Sequence, residues 1–199
     1  MICLRFKNYG IGIDESNHGR IPEIYVSVLS TNLEDLIRTT EPLIKKRKRK
    51  INLDNLISDV ENLKFIVLYH QHIDTFGINS VKTPVISKLV NSYMGKINIR
   101  ETTILVDGSP QLSVQEDVHR ILSKNYREKL SKSQIQFIDE ADKYYGVVNL
   151  ADSLAYQLNR AYRDIPEHRL GPFEKNRVQF RIISESKRGN KPKCMKKLM

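Results

Sequence analysis

Two stretches near the start of the chain alternate between apolar residues and small or polar ones. Isoleucines alternate with glycines over residues 9–15, and a second alternation runs through Glu23–Ser30. A period of two is the signature of a strand with one buried face. The loop between the stretches is short and contains Gly19 and Pro22, so the two strands are predicted to form an antiparallel hairpin.

Further along, short apolar runs alternate with segments of helical spacing. The apolar runs predict strands over 64–70, 102–107 and 134–138, with another short strand over 178–183. The helical spacing predicts helices over 32–44, 53–63, 81–94, 114–130 and 147–163. Thr31 or Asn32 is expected to cap the first helix, and Pro84 to lie in the first turn of the third. The last helix has the clearest apolar face, formed by Val147, Val148, Ala151, Leu154, Ala155, Leu158 and Tyr162.

This order of elements predicts one α/β domain over residues 1–183 and a basic, disordered tail over 184–199. Hydrophobic residues make up 40% of the 199 residues and charged residues 28%, as in ordinary soluble proteins. No apolar run approaches the roughly 20 residues of a membrane-spanning helix, and residues 1–7 lack the core of a signal peptide. The cysteines are Cys3 and Cys194, which suits a reducing compartment. We therefore expect an intracellular, cytoplasmic protein without a membrane partner, or a nuclear one in a eukaryotic host.

The net charge of +10 is concentrated in two segments. The first carries +6 and consists of Lys45, Lys46, Arg47, Lys48, Arg49 and Lys50. The tail 184–199 carries +5, so the rest of the chain is close to neutral. Such segments usually contact phosphate, most often that of nucleic acid and less often an anionic membrane surface. For the first segment, a localisation signal and a solvated loop are the alternatives.

Carboxylates follow the predicted strands. Asp14 and Glu15 end the first strand, Asp107 ends the strand over 102–107, Asp142 comes shortly after 134–138, and Asp152 lies early in the last helix. Ligands of α/β sheets bind beyond the carboxyl ends of strands, and clustered acids repel one another unless a cation lies between them. Mg²⁺ and Mn²⁺ prefer such oxygen ligands. Two ions about 3.5–4 Å apart can activate a water and stabilise the leaving oxygen of a phosphodiester. Turn and cap residues are the alternative interpretation of each acid taken singly.

Other chemistry has less support in the sequence. His18 could move a proton or contact a phosphate, or it could be an exposed loop residue. His70 and His72 have no further Cys or His near enough in sequence to complete a zinc site. Phosphate-binding and dinucleotide-binding glycine motifs are absent, so no dinucleotide cofactor is expected.

Several segments resemble ribonuclease HII, a member of the RNase H-like (retroviral integrase/resolvase) superfamily. The similar segments are Ile11-Gly12-Ile13-Asp14-Glu15, Ile104-Leu105-Val106-Asp107-Gly108 and Glu140-Ala141-Asp142 with the helix that follows, in the same order over residues 9–164. The resemblance implies an RNase H-like α/β fold, a mixed sheet flanked by helices, and a two-metal hydrolase that cuts RNA in an RNA/DNA hybrid. It implies Asp14, Glu15, Asp107 and Asp142 as metal ligands.

The chain departs from that family after the acidic pair. The family continues with Ala-Gly-Arg-Gly, which contacts the ribose 2′-hydroxyl, whereas this chain has Ser16-Asn17-His18-Gly19-Arg20. Gly19 aligns with the last glycine of that motif. Arg20 can take the place of the motif's arginine only if the loop shifts by one residue. We therefore place His18, Gly19 and Arg20 in the predicted nucleic-acid-binding set.

The last helix resembles other proteins. Asn149-Leu150-Ala151-Asp152-Ser153-Leu154-Ala155 is similar to the Ala-Asp-x-Leu-Ala helix of RuvC-type resolvases and to an RNase H-like family that opens with Asp-Glu-Ser-Gly. In those proteins the helix Asp binds metal, which would make Asp152 the ligand in place of Asp142. The expected function is a metal-dependent endonuclease for RNA in an RNA/DNA hybrid. The alternatives are a RuvC-like DNA structure-specific nuclease and a non-catalytic nucleic-acid-binding protein.

Overall fold

The strands of the computed structural model form one five-stranded sheet in the order β3-β2-β1-β4-β5. The structure describes residues 9–16, 22–44, 62–69, 72, 78–164 and 175–180. The strands are β1 (Tyr9–Ser16), β2 (Glu23–Ser30), β3 (Leu63–Leu68), β4 (Thr102–Asp107) and β5 (Ile135–Ile138). The predicted strands over 9–15, 64–70 and 134–138 are confirmed to within about two residues, and those over 23–30 and 102–107 have the predicted bounds.

The sheet is mixed. β1 and β2 form the predicted antiparallel hairpin, and β3 extends it antiparallel to β2. On the other side β4 lies parallel to β1, and β5 lies parallel to β4. The carboxyl ends of β1, β4 and β5 therefore meet at one edge of the sheet, where the predicted acidic residues lie.

Helices cover both faces. The helices are α1 (Ile78–Asn91), α2 (Leu112–Tyr126), α3 (Ala141–Tyr144) and α4 (Gly146–Asp164), with two 3-10 turns at Leu33–Leu36 and Ile99–Glu101. α1 and α2 pack with Ile11, Ile13 and Tyr25 into one hydrophobic core. α4 packs with Val26 and Leu105 into a second core on the opposite face. We call these two sides the α1 face and the α4 face.

Close approach of α4 to β1 depends on a glycine. A Cβ on Gly12 would lie 2.5 Å from the backbone carbon and oxygen of Val147, so no side chain fits there without moving α4. A Cβ on Gly10 would instead overlap the side chain of Leu36. The glycines that alternate with isoleucines in β1 thus line the α4 face, and Gly12 sets the distance between the strand and the helix.

The helix predicted over 32–44 is wrong beyond its first turn. Asn32 does cap it, because its side chain accepts a hydrogen bond from the backbone N of Glu34 at 3.1 Å, but the turn ends at Leu36. Pro42 cannot donate a helical hydrogen bond and disfavours helix at the residue before it. The backbone N of Thr39 donates to the backbone oxygen of Tyr144 at 2.9 Å, so this segment bonds to α3 instead of forming helical hydrogen bonds within itself.

Other helix bounds moved by a few residues. α1 begins three residues earlier than predicted, so Pro84 lies in its second turn rather than its first. α2 ends at Tyr126, where Arg127 takes a left-handed conformation with φ of 55°, rather than at 130. α4 matches the predicted helix over 147–163 within one residue at each end.

The end of the described chain forms less structure than predicted. Residues 178–180, the described part of the strand predicted over 178–183, form no strand; one bridge joins Arg177 and Phe65, and the backbone N of Val178 donates to the backbone oxygen of Phe65 at 2.8 Å. Residues 181–183 and most of the helix predicted over 53–63 lie outside the described residues. Among the helices that the structure describes, none has the length and apolar character to cross a membrane.

Candidate active site

The pleat of the sheet divides the acidic pair at the end of β1. Successive side chains of a strand point to opposite faces, so Asp14 shares the α4 face with Gly12, whereas Glu15 shares the α1 face with Ile13. Asp107 has the same orientation as Leu105 and therefore also faces α4. Because Ile13 pairs with Val106, Asp14 and Asp107 lie side by side at the ends of two parallel strands.

Asp14 is a buried acid in a negative environment. It is 4% exposed, and its Oδ1 accepts a hydrogen bond from the backbone N of Glu15 at 2.6 Å. Burial raises the pKa of Asp14 to about 9, and the charges of Asp107 and Asp152 add to this increase. At neutral pH this carboxyl therefore keeps its proton unless a positive charge enters the site.

Asp107 is oriented by α3. Its Oδ1 accepts a hydrogen bond from the backbone N of Asp142 at 3.2 Å. The backbone N of Gly108 donates to the backbone oxygen of Ile138 at 2.9 Å, which fixes the turn that follows β4. Burial raises the pKa of Asp107, the charge of Asp142 adds to the increase, and the hydrogen bonds from Asp142 and Ala141 oppose it. The start of α3 thus holds this carboxyl in place.

Both candidates for the last ligand are buried at the site. Asp142 is 5% exposed and Asp152 is 3% exposed. The side chain of Asn149 donates to the backbone oxygen of Asp142 at 2.8 Å, which ties α3 to α4. Asp152 acts on the pKa of Asp14 and Asp142 acts on that of Asp107, so the structure brings both acids to the pair of strand ends.

Glu15 has a cationic partner that the sequence did not predict. The Nζ of Lys82, in α1, lies 2.6 Å from Oε1 of Glu15, and the two side chains are 24% and 12% exposed. The residues are 67 positions apart, so the pair depends on where α1 packs. Of the signals in the sequence, only the alternation along β1, which puts Glu15 on the α1 face, pointed in this direction.

Two further buried polar groups lie beside Glu15. Tyr25 pairs with Glu15 across β1 and β2, and its hydroxyl donates to Oε1 of Glu23 at 3.4 Å. Burial raises the pKa of Tyr25 well above its usual range, and the charges of Glu15 and Glu23 add to the effect. Tyr25 therefore stays a neutral hydrogen-bond donor in this acidic surrounding. Neither Tyr25 nor Glu23 was predicted from the sequence as a residue of the site.

All of the predicted nucleic-acid-binding residues lie outside the described residues. These are His18, Gly19, Arg20, Lys45, Lys46, Arg47, Lys48, Arg49, Lys50 and the tail 184–199. Of the two histidines considered for zinc, His70 also lies outside. His72 is buried, and its Nδ1 accepts a hydrogen bond from the backbone N of Tyr69 at 2.9 Å, beside the ring of Phe180. His72 therefore has a structural role.

The donors at the site suit a divalent cation in chemistry and in charge. They are carboxylate oxygens, and a cation among them would offset the burial and the neighbouring negative charges that together raise the pKa of Asp14. Ser16, on the same face as Asp14, is buried, and its Oγ has no hydrogen-bond partner among the described residues, as expected for a group that binds a ligand. Even so, the described ranges contain no group of three His, Cys, Asp or Glu side chains already arranged to hold an ion.

Comparison with known proteins locates this arrangement among known folds. No family model matches the sequence, and no curated protein matches it. Among solved structures, the chain is similar to ribonuclease H2 from Pyrococcus horikoshii, with a TM-score of 0.56 and 16% identity over 85% of this chain and 81% of that one. It is also similar to a chain in the complex of PCNA and RNase HII from Archaeoglobus fulgidus, with a TM-score of 0.54 and 16% identity over 86% and 82% of the two chains. The chain therefore has the RNase H-like α/β fold and resembles ribonuclease HII in the arrangement of its sheet and helices.

Proposed function

We propose that this protein is a metal-dependent endonuclease that cleaves RNA in an RNA/DNA hybrid. The observation that carries the proposal is the pair of carboxylates, Asp14 and Asp107, at adjacent strand ends of an RNase H-like sheet, with Asp142 and Asp152 buried beside them. A buried group of acids destabilises a fold unless it binds something positive. A protein that only binds a polyanion gains nothing from it.

Asp14 and Asp107 would hold two Mg²⁺ or Mn²⁺ ions together with Asp142, Asp152 or both. When bound, the ions would lower the pKa of the attacking water and stabilise the charge on the 3′ leaving oxygen. Binding would displace the proton that Asp14 otherwise retains, because the raised pKa of Asp14 has its origin in burial and neighbouring charge.

The chain's own residues would orient the reacting groups and hold the substrate. The backbone N of Asp142 fixes the carboxylate of Asp107, and the close approach at Gly12 lets α4 pack directly against β1. In this proposal residues 18–20 contact the cleaved strand, and the basic segments 45–50 and 184–199 hold the phosphate backbone on either side. Binding should then weaken steeply with salt.

The test is a cleavage assay with matched variants. Labelled RNA/DNA hybrid, double-stranded DNA and branched DNA are incubated with the protein in Mn²⁺, Mg²⁺ or EDTA, and wild type is compared with Asp14→Asn. Glu116→Gln, which removes one charge from an exposed position of α2, is the control. Metal-dependent cleavage of the hybrid that Asp14→Asn abolishes supports the proposal. Binding without cleavage under every condition would show a non-catalytic nucleic-acid-binding protein instead.

One observation favours a second candidate, a RuvC-like nuclease for branched DNA. Asp152 in α4 is the helix acid that adds to the raised pKa of Asp14, as expected if it is a ligand beside Asp14. In this case the branched substrate is cut and the hybrid is not. The substrate arms of the same assay therefore separate the two nucleases.

A further inference from the structure

The ion pair between Lys82 and Glu15 gives the two acids of the β1 motif different surroundings. Glu15 points to the α1 face and meets Lys82 at 2.6 Å. Asp14 and Asp107 point to the α4 face, and among the described residues neither of them pairs with a basic side chain. Of the two consecutive acids, Glu15 therefore has a basic partner, whereas Asp14 has none among the described residues.

We infer that Lys82 is a positioning residue that holds Glu15 on the α1 face and away from the cation site, so that Lys82 and the metal ion compete for the Glu15 carboxylate. This inference rests on the proposed function for the existence of the cation site. Its basis is the distance, the low exposure of both side chains, and the alternation of β1, which directs Glu15 to the face opposite Asp107. The charge of Glu15 still contributes to the raised pKa of Asp107 and of Asp14, so the carboxylate lies within electrostatic reach of the site.

The competition has a physical cause. The Glu15 carboxylate can accept hydrogen bonds from the Lys82 ammonium or coordinate a divalent ion. Either contact neutralises the carboxylate and so weakens its attraction for the other cation. Asp14 and Asp107, on the other face, have no such alternative partner among the described residues. The first ion should therefore bind to the α4-face acids, and Glu15 should join only when the Lys82 contact is released.

Direct measurement of Mn²⁺ binding tests the inference without relying on activity. Free Mn²⁺ is followed by electron paramagnetic resonance with the full chain, as wild type and as Lys82→Met, Lys82→Arg, Glu15→Gln and the Lys82→Met/Glu15→Gln double variant. Lys88→Met, on the same helix, controls for the loss of one positive charge. Lys82→Met should tighten Mn²⁺ binding about threefold, the scale of a partly exposed ion pair. Lys82→Arg keeps the pair and should bind as wild type does.

The double variant separates competition from a general effect of charge. In the Glu15→Gln background, Lys82→Met should change the affinity no more than Lys88→Met does in wild type. Weaker or unchanged Mn²⁺ binding by Lys82→Met, or an equal effect in both backgrounds, overturns the inference.

A second measurement keeps the inference apart from the proposed function. Thermal unfolding of wild type, Lys82→Met, Glu15→Gln and the double variant in EDTA gives the coupling between Lys82 and Glu15 in the metal-free protein. If wild type binds no Mn²⁺, the proposed function fails and the competition fails with it. A clear coupling would then still show that Lys82 positions Glu15, whereas zero coupling overturns the positioning role as well.

Discussion

The α4 face and the α1 face of the sheet give the neighbouring acids Asp14 and Glu15 opposite electrostatic environments. On the α4 face, Asp14 is buried beside Asp107 and Asp152, and its pKa rises to about 9. On the α1 face, Glu15 is one residue further along the same strand and forms an ion pair with Lys82. The comparison shows that a sequence motif of two acids is not one chemical unit, because the pleat of a strand delivers each acid to a different helix layer.

The largest effect should come from Asp14 itself. Asp14→Asn keeps the shape of the buried side chain but cannot lose a proton to form a carboxylate, so cation binding and cleavage should both fall. We expect a loss of at least about 100-fold in kcat/KM, since even residues that only support a metal ligand cost 10- to 100-fold. The measurement is the metal-dependent cleavage rate with hybrid substrate. Activity within threefold of wild type would show that the α4-face acids are not the metal site.

Gly12→Ala tests whether the α4 face depends on the distance between α4 and β1. The new Cβ would lie 2.5 Å from the backbone of Val147, so α4 and Asp152 must move. A misplacement of about 1 Å can cost about 100-fold in rate, and we expect a loss approaching that size in the cleavage assay.

Gly10→Ala is the matched control on the same strand and face. Its Cβ would overlap the Leu36 side chain, which belongs to a 3-10 turn rather than to the site. It should lower the melting temperature and leave kcat close to wild type. Equal losses of kcat in the two variants would mean that the glycines matter only for stability.

The strands and α4 could be predicted from the sequence because their signals are local. Alternation and apolar runs reflect burial on a pleated sheet, so Glu23–Ser30 and Thr102–Asp107 appeared with their observed bounds. The helix predicted over 32–44 was correct only for its first turn, which Asn32 caps. Beyond that turn, Pro42 disfavours a helix and the backbone of Thr39 bonds to Tyr144 instead, which the local pattern did not show.

The candidate site was only partly predictable. The positions of Asp14, Asp107 and Asp142 follow from strand ends and from the family resemblance, and the structure brings them to one edge. Lys82 could not be predicted, because its contact with Glu15 joins residues 67 positions apart. The separation of Asp14 from Glu15 was available from the period of two along β1, but grouping the two acids as one metal-binding set concealed it.

A separate effect should appear in the pH dependence of stability without metal. The pKa of Asp14 is about 9 in the folded protein against 3.8 for the ordinary group. The folded state therefore holds a proton that the unfolded state has lost, so this contribution is fully present below about pH 4 and is lost as the pH rises towards 9. In EDTA, the melting temperature should fall across this range, and Mn²⁺ should restore more of it at high pH.

Asp14→Asn provides the control for this titration. The variant has no proton to lose at this position, so its melting temperature should vary less with pH and respond less to Mn²⁺. Scanning calorimetry from pH 5 to pH 9 measures both proteins. Parallel pH profiles for wild type and Asp14→Asn would contradict the assignment of the titration to the α4-face acids.

The smallest effect concerns two buried hydroxyls, one near Asp14 and one in α1. The Oγ atoms of Ser16 and Ser87 both lack a hydrogen-bond partner, and burying such a group costs about 1–3 kcal/mol. Ser16→Ala and Ser87→Ala should therefore each raise the melting temperature of the metal-free protein, by about 2–4 °C for each 1 kcal/mol gained. Only Ser16→Ala should also lower kcat/KM, by a few fold, because Ser16 lies on the face of Asp14 and its hydroxyl is available to substrate or to an ion's water shell. If both variants gain stability and neither loses activity, the Ser16 hydroxyl is a packing defect, and the α4 face contributes to catalysis through its carboxylates alone.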